Sequence, residues 1–317
     1  MRIGIITPAP PRSLHGNRRT ALRWAKLFRQ LGHRVWIAQS YGGQPCDVLI
    51  ALHAKRSFDS IRKFHRLYPR RPLIVALTGT DLYRDLRHSR RAQLSLELAT
   101  RLIALQPKAL DDLPPRFHAK TRVIYQSVEP PKQFQNLKSK TQNFRICVIG
   151  HLRDVKDPFR AAKAARLLPE RSRVEVVHLG AAMDERMAIG AEREMHANPR
   201  YRWLGEQSPE RVRKILHSSQ LCVHSSKLEG GANAVSEAII AGVPVLASRI
   251  PGNVGLLGED YPGYFEVGDT RGLAKLLWQA ETDAAFLARL KACCRGQALN
   301  FSPQRERQSL ADLLAEL

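Results

Sequence analysis

The stretch His224-Ser-Ser-Lys-Leu-Glu-Gly-Gly-Ala-Asn-Ala-Val-Ser-Glu-Ala-Ile-Ile-Ala-Gly-Val-Pro-Val-Leu-Ala-Ser248 decides how this chain is read. It runs as a strand end, a glycine loop, a helix, a sharp turn and a second strand. Gly230 and Gly231 carry no Cβ, so backbone N–H groups can approach an anion at a helix N-terminus. Glu229 and Glu237 bracket the loop and the first helical turns, with Glu237 about two turns into the helix. A carboxylate placed there accepts hydrogen bonds from vicinal hydroxyls. A loop for phosphate joined to a carboxylate for ribose is the chemistry of holding a sugar nucleotide. An ordinary strand–loop–helix–strand unit with solvated glutamates is the plainer alternative, and the ordered constellation argues against it.

Upstream, Phe144-Arg-Ile-Cys-Val-Ile-Gly150 is apolar and β-rich, and reads as a buried strand. It leads into His151-Leu-Arg-Asp-Val-Lys-Asp-Pro158, where Arg153 and Lys156 lie three apart. Fixed cations at a strand end stabilise an anion whose charge grows during a reaction. The competing reading is two surface cations in a chain with 51 Lys plus Arg. The glutamate loop downstream favours the functional one. No Asp-x-Asp metal motif stands in a comparable loop, so neither a metal nor any other cofactor is expected.

The 317 residues suffice for two domains, each with its own core. A formal net charge of +22 points to anionic partners: nucleotide sugars, phosphates, nucleic acid or an anionic membrane surface. Most of the charges are scattered singly, which is equally the pattern of a solvated basic surface. Aromatic stacking motifs and a basic base-reading helix are missing, so nucleic acid is not an expected partner. No apolar run is long enough to span a bilayer, no secretory signal opens the chain, and stable membrane insertion is not expected. Cys147 and Cys222 fall in expected strands as small buried hydrophobes, and Cys293-Cys294 is a vicinal pair on an expected helix. A reducing cytoplasm is the expected setting.

Expected strands at Ile3–Thr7, Val35–Ala38, Val48–Leu52, Leu73–Leu77, Leu102–Leu105 and Val123–Tyr125 alternate with helical spacing over Thr20–Leu31, Ser57–Tyr68 and Ala92–Thr100. That alternation argues for an α/β fold with a parallel, doubly wound sheet. A polar, lysine-rich linker follows near Val128–Asn143. A second series of strands begins at Ile146–Ile149 and continues through Val174–Leu179, Arg202–Leu204, Leu221–Val223, Val245–Ala247 and Tyr264–Phe265. The expected domains are therefore residues 1–130 and 143–301, followed by an amphipathic helix over 302–317. Ligands of such sheets bind outside the carboxyl ends of the strands, and Arg153, Lys156 and the Glu229 loop all follow strand ends. So do Gly180 and Leu204, which read either as the wall of a base pocket or as simple strand-end turns.

In the first domain, Gly16, Asn17, Arg18 and Thr20 open a helix after the first strand and suit a small oxyanion. A helix entry with surface arginines is the alternative. After the fourth strand, Gly79 allows a tight turn while Thr78, Thr80 and Asp81 offer polar groups. His53, at the end of the third strand, is either a satisfied strand-end histidine or a base.

The glutamate loop, the following Gly242-Val-Pro-Val turn and the Arg153/Lys156 pair resemble the family 4 retaining glycosyltransferases, whose hallmark is Glu, seven residues, Glu. The resemblance implies a GT-B fold, with two Rossmann-like domains facing across a cleft and the helix over 302–317 packing back on the first. It implies that Glu229 touches the transferred sugar and that Arg153 and Lys156 grip the donor diphosphate. The amides of Gly231, Ala232 and Asn233, with Ala234 beside them, would hold phosphate or sugar. Glu237 would bind ribose, and Leu204 and Gly180 would flank the base. Family members place a histidine near Thr78–Asp81 and a glycine-richer loop near Gly16, and this chain departs from both.

Four further segments resemble a narrower branch of that family, the selenosugar synthases of selenoneine biosynthesis: Gly16-Asn-Arg-Arg-Thr-Ala-Leu-Arg-Trp, Ala51-Leu-His-Ala-Lys-Arg-Ser57, Leu77-Thr-Gly-Thr-Asp-Leu-Tyr-Arg-Asp85 and Val123-Ile-Tyr-Gln-Ser127. That resemblance implies a UDP-sugar donor, UDP-N-acetylglucosamine, and selenophosphate as acceptor, with a functional link to selenophosphate synthetase. Gly16, Asn17, Arg18, Thr20, Thr78, Thr80 and Asp81 would cradle the acceptor. A UDP-sugar transferase acting on a lipid or polysaccharide stands as the alternative. Retention or inversion at the anomeric carbon is left open by the residues.

Overall fold

Runs such as Val48-Leu-Ile-Ala-Leu52 and Leu73-Ile-Val-Ala-Leu77 are apolar at every position and buried at every position. A strand covered on both faces by helices demands this, and a half-solvated antiparallel strand would alternate. The computed structural model of the protein describes residues 1–11, 13, 15–130 and 143–317. Most of the linker expected near Val128–Asn143 lies outside the described residues.

The strands β1 (Arg2–Ile6), β2 (Arg34–Ala38), β3 (Val48–Leu52), β4 (Leu73–Leu77), β5 (Arg101–Ala104) and β6 (Thr121–Val123) form one parallel sheet in the order β2-β1-β3-β4-β5-β6. The strands β7 (Phe144–Ile149), β8 (Val174–Leu179), β9 (Tyr201–Trp203), β10 (Leu221–His224), β11 (Val245–Ser248) and β12 (Tyr264–Phe265) form a second, in the order β12-β11-β10-β7-β8-β9. By contacts the chain divides into two units. The first is Met1–Ser127 with Glu229–Gly231 and Asn300–Leu317, and the second is Val128–Leu228 with Ala232–Leu299.

Two elements depart from the apolar pattern. The strand expected over Val123–Tyr125 ends at Val123, because Tyr125 turns to pack its ring edge-on against Phe301, with centroids 5.7 Å apart at 89°. The first helix begins at Gly16, four residues before the expected Thr20.

The last helix, Pro303–Ala315, is part of the first unit's core: Leu310, Leu313 and Leu314 pack with Ile3, Trp24 and Ile103. It also carries a buried carboxylate. Glu306 accepts from Arg23 Nε at 2.9 Å, from the Trp24 indole N–H at 2.7 Å, from the Ser127 backbone N–H at 2.8 Å and from the Ser127 hydroxyl. A buried charge persists only when paired and hydrogen-bonded in this way.

In the second unit the ends of β7, β8 and β9 are tied by His178. Its Nε2–H donates to the Gly150 carbonyl at 3.0 Å, which leaves Nδ1 to accept from the Tyr201 hydroxyl at 3.1 Å. Burial pushes this imidazole down to about 4. Gly180, at φ +152°, approaches the Gly150 carbonyl so closely that a Cβ would overlap it.

Two outcomes are expected. Glu306→Ala should cost about 3 kcal/mol in equilibrium denaturation, the magnitude of a broken buried pair; a loss near zero would mean that the leucines alone hold the helix. His178 binds its proton less readily in the folded than in the unfolded chain. Its neutral form therefore contributes fully above the unfolded value of 6.5, and that contribution is lost as the pH falls towards 4. Relative to a His178→Gln variant, the wild type should lose about 3 kcal/mol over that window. Parallel pH profiles for the two would contradict the assignment.

Candidate functional site

In the second sheet β7 lies between β8 and β10, so the chain leaves β7 towards one side and β10 continues towards the other. Such a switch point opens a crevice at the carboxyl ends of the two central strands. Arg153 and Lys156 follow β7, and the glutamate loop follows β10. Residues 154–156 form a single tight turn closed by Asp157 at φ +44°, a left-handed conformation that aspartate tolerates. Three hydrogen bonds clip this turn to the start of the glutamate loop: Lys227 N–H to Val155 O at 2.8 Å, and Ser225 Oγ to Asp157 O at 2.9 Å and to Lys156 O at 3.2 Å. A small cavity remains between the strand ends, lined by Gly150, Lys156, His178, His224, Ser225 and Ser226 among others. Lys156 is half-buried at its edge and Arg153 is exposed.

The helix after the glutamate loop is Asn233–Ile240, with Ala232 at its N-cap and no side chain capping it. Six other helices are capped by a serine or aspartate oxygen, at Ser89, Asp184, Ser208, Asp269, Asp283 and Ser302. The helices starting at Phe58, Arg160 and Pro251 likewise carry no side-chain cap, and the N–H groups of Ala232, Asn233 and Ala234 open one more such positive helix end. The helix starts later than the sequence suggested, so Glu237 is its fifth residue, just over one turn in, and half-buried. Its charge reaches the centre of the sheet. Cys147 and Cys222 face each other in register on β7 and β10, and the Cys222 thiol is pushed up to about 12, first by burial and then by Glu237. Glu229 and Gly231 fall with the first unit by contacts.

Leu204 and Gly180 are joined through their strand ends. The Trp203 indole donates to Gly180 O at 2.8 Å, Leu204 N–H to His178 O at 2.9 Å, and Gly180 N–H to Gly205 O at 2.8 Å. These bonds turn the ends of β8 and β9 into one fixed wall.

The first sheet has its own switch point between β1 and β3. The helix Gly16–Gln30 starts there, and His15 at its N-cap supplies no side-chain cap. Asn17 and Arg18 lie in its first turn, half-buried, and Arg18 Nε is shielded from solvent without a hydrogen-bond partner among the described residues. Thr20 is a correction to the acceptor cradle. It is 2% exposed, and its hydroxyl is spent on Gly16 O at 3.0 Å and on the Gln126 amide at 2.6 Å. Asp81 is a second correction. It is fully buried, and its carboxylate accepts from the backbone N–H of Thr78 (2.9 Å), Gly79 (2.8 Å) and Ala54 (2.9 Å), which leaves it shaping the loop instead of facing a ligand. Thr78 and Thr80 are half-buried.

His53 closes this end of the site. It is 2% exposed and held at φ +73°. Nδ1 accepts from Arg56 N–H at 3.3 Å, and Nε2 faces Thr80 Oγ1 at 3.0 Å. Burial, above all, lowers its basicity. The satisfied strand-end reading therefore describes it. Sequence reasoning missed Gln126 and Ser225, both of which position loops through a single polar atom. Neither stands in a motif that marks it.

The chain matches the family model described as glycosyl transferases group 1 over residues 129–293. Among solved structures, it is similar to HepE from Anabaena in complex with UDP and glucose, at 17% identity over 100% of both chains, with a TM-score of 0.78. It is also similar to sucrose-phosphate synthase from Thermosynechococcus elongatus, at 14% identity over 99% of this chain and 98% of that one, with a TM-score of 0.75. A glycosyltransferase from Rickettsia africae gives the same values. At such identities the likeness is one of fold, and the two parallel six-stranded sheets with flanking helices are the GT-B arrangement. With just over half of its length inside the family model, this chain belongs to the glycosyl transferases group 1 family.

Proposed function

We propose that this glycosyltransferase takes a UDP-sugar, UDP-N-acetylglucosamine, and transfers the sugar to selenophosphate, forming a carbon–selenium bond. The donor half rests on the second unit's switch point. The uncapped helix at Asn233, the Glu237 carboxylate and the clipped Arg153/Lys156 turn there supply amides, a ribose acceptor and cations in the order a sugar diphosphate needs. HepE, solved with UDP-glucose, is a relative in fold that binds such a donor. In this reading Glu229, Arg153 and Lys156 are catalytic. The cations stabilise charge on the departing UDP, and Glu229 contacts the sugar. No metal takes part in the reading, because Arg153 and Lys156 fill that role.

The acceptor half rests on one observation: the histidine and the aspartate that could serve as a base at the strand ends of the first unit are both occupied. Asp81 is saturated by three backbone amides, and His53 has both ring nitrogens engaged. A sugar hydroxyl often requires a general base. Selenium in selenophosphate is ionised near neutral pH and is a strong nucleophile without one. It attacks the anomeric carbon while the carbon–oxygen bond to UDP breaks and UDP leaves with the electron pair. Water then cleaves the phosphorus–selenium bond, releasing phosphate and the selenosugar. The uncapped helix start at Gly16, with Asn17, Arg18, Thr78 and Thr80, supplies donors for the acceptor's oxyanion. The resemblance of those segments to the selenosugar synthases supports the same assignment.

Anaerobic incubation with UDP-N-acetylglucosamine and fresh selenophosphate should release UDP and give a product with the selenium isotope pattern by mass spectrometry. UDP binding without a selenium product would reject the acceptor and leave the donor half standing. Glu237→Ala should weaken UDP binding by about ten- to a hundredfold, the loss of a charged hydrogen bond. Unchanged affinity would remove Glu237 from the donor site. Arg153→Ala should lower kcat by about a hundredfold or more with the fold intact, and near-normal turnover would exclude its role on the diphosphate.

A further inference from the structure

The turn that carries His53 is held by a set of short hydrogen bonds. His53 N–H donates to Ala76 O at 2.9 Å, and Ser57 N–H returns to His53 O at 3.0 Å. The Ser57 hydroxyl donates to Leu52 O at 2.7 Å, Ala54 N–H donates to Asp81 at 2.9 Å, and Ser95 donates to Ala54 O at 2.7 Å. These bonds hold a non-glycine residue at φ +73°. A residue in that region is strained, and strain of this kind persists only where surrounding structure over-determines it.

The consequence for the ring is a fixed tautomer. Arg56 N–H donates to Nδ1 at 3.3 Å, so in the neutral ring the proton sits on Nε2. Nε2–H then donates to Thr80 Oγ1 at 3.0 Å; Asp85 Oδ2 stands farther off, at 4.0 Å, and the other oxygen of that carboxylate, Oδ1, is held by Lys55 and Arg84. A hydroxyl whose lone pair is taken by a donor must turn its own proton elsewhere. Thr80 is half-buried at the carboxyl end of β4, in the loop shaped by Asp81.

We infer that His53 is a positioning residue for the acceptor: its Nε2–H fixes the Thr80 hydroxyl as a hydrogen-bond donor towards a phosphate-type oxyanion. This rests on the proposal that the first unit's strand-end loops hold the acceptor. It assigns His53 neither contact with the substrate nor transfer of a proton. It also gives a reason for histidine at a position whose backbone would suit glycine or asparagine. Asparagine also accepts and donates, but its amide is too short to meet Arg56 N–H and Thr80 Oγ1 together, whereas the imidazole spans them.

The test compares the wild type with Thr80→Val, Thr80→Ser, His53→Asn and the His53→Asn/Thr80→Val double variant. Valine keeps the shape of threonine without its hydroxyl, and asparagine tolerates the left-handed backbone. Thiophosphate, titrated calorimetrically, serves as the oxyanion probe, with UDP titrated as the control for an intact second unit. Thr80→Val and His53→Asn are each expected to weaken thiophosphate binding by about tenfold, the size of one hydrogen bond to a charged group. Thr80→Ser should restore it, and the double variant should bind no more weakly than Thr80→Val alone. In turnover with selenophosphate, acceptor KM should rise while kcat at saturation and donor KM stay within about twofold of wild type, on the same single hydrogen bond.

Binding by His53→Asn equal to wild type, or losses that multiply in the double variant, would overturn the relay while leaving the proposed reaction intact. A wild type that binds UDP but neither thiophosphate nor selenophosphate would overturn the relay and the acceptor assignment together. Thr80→Val alone decides the hydroxyl's part should His53→Asn fail to fold.

Discussion

Every strand in both sheets runs parallel to its neighbours, so every loop leaving a carboxyl end leaves on the same side of its sheet. That polarity collects the chemistry. At each switch point two adjacent strands send their chains to opposite sides, and the backbone between them stays open. Arg153, Lys156 and the glutamate loop reach one such point from β7 and β10, which are 75 residues apart at the Cys147–Cys222 pair. The start of the Gly16 helix and His53 reach the other from β1 and β3. Neither grouping follows from nearness in sequence. Both follow from strand order.

Polarity brings the loops together, and side chains that face no ligand then hold them in place. Asp81 spends its whole carboxylate on three amides, and Ser225 ties the Lys156 turn to the end of β10. His178 serves β7 and β9 at once, and its low basicity is the cost of burying it there. These groups resemble catalytic ones in kind: an aspartate, a serine and a histidine at strand ends. Their geometry separates them. Each is buried, and each has its hydrogen-bonding atoms satisfied by the protein. In the proposed function the groups that meet the substrates are mostly backbone amides, at the helix starts of Gly16 and Asn233, which no serine or aspartate caps. An amide array is rigid and needs no reorganisation as charge develops, which suits the binding of phosphate groups.

The legible part of the sequence was the part governed by burial on both faces. Continuous apolar runs located the twelve strands among the described residues, and those at Val48–Leu52, Leu73–Leu77 and Val174–Leu179 fall on the predicted residues. Periodicity failed where an aromatic ring made a better contact off the sheet, as Tyr125 does on Phe301. Helix starts were harder to read, because the Gly16 and Asn233 helices lack the capping residues that mark the beginnings at Ser89, Asp184 and Ser302.

Polar side chains were the least legible, for a physical reason. Composition states that Thr20 and Asp81 can hydrogen-bond, but only tertiary structure states with what. Thr20 meets Gln126, which lies 106 residues later, and Asp81 meets Ala54, which lies 27 earlier. Once those partners are known, the two residues leave the set facing a ligand. Thr80 gains meaning from the same source, because its hydroxyl meets the His53 ring from 27 residues earlier. A polar residue in a strand-end loop therefore becomes a candidate ligand contact only after its long-range partners are counted. In the first unit that count leaves Asn17, Arg18, Thr78 and Thr80, a set of donors without a carboxylate, and it is on this set that the proposal of an anionic acceptor rests.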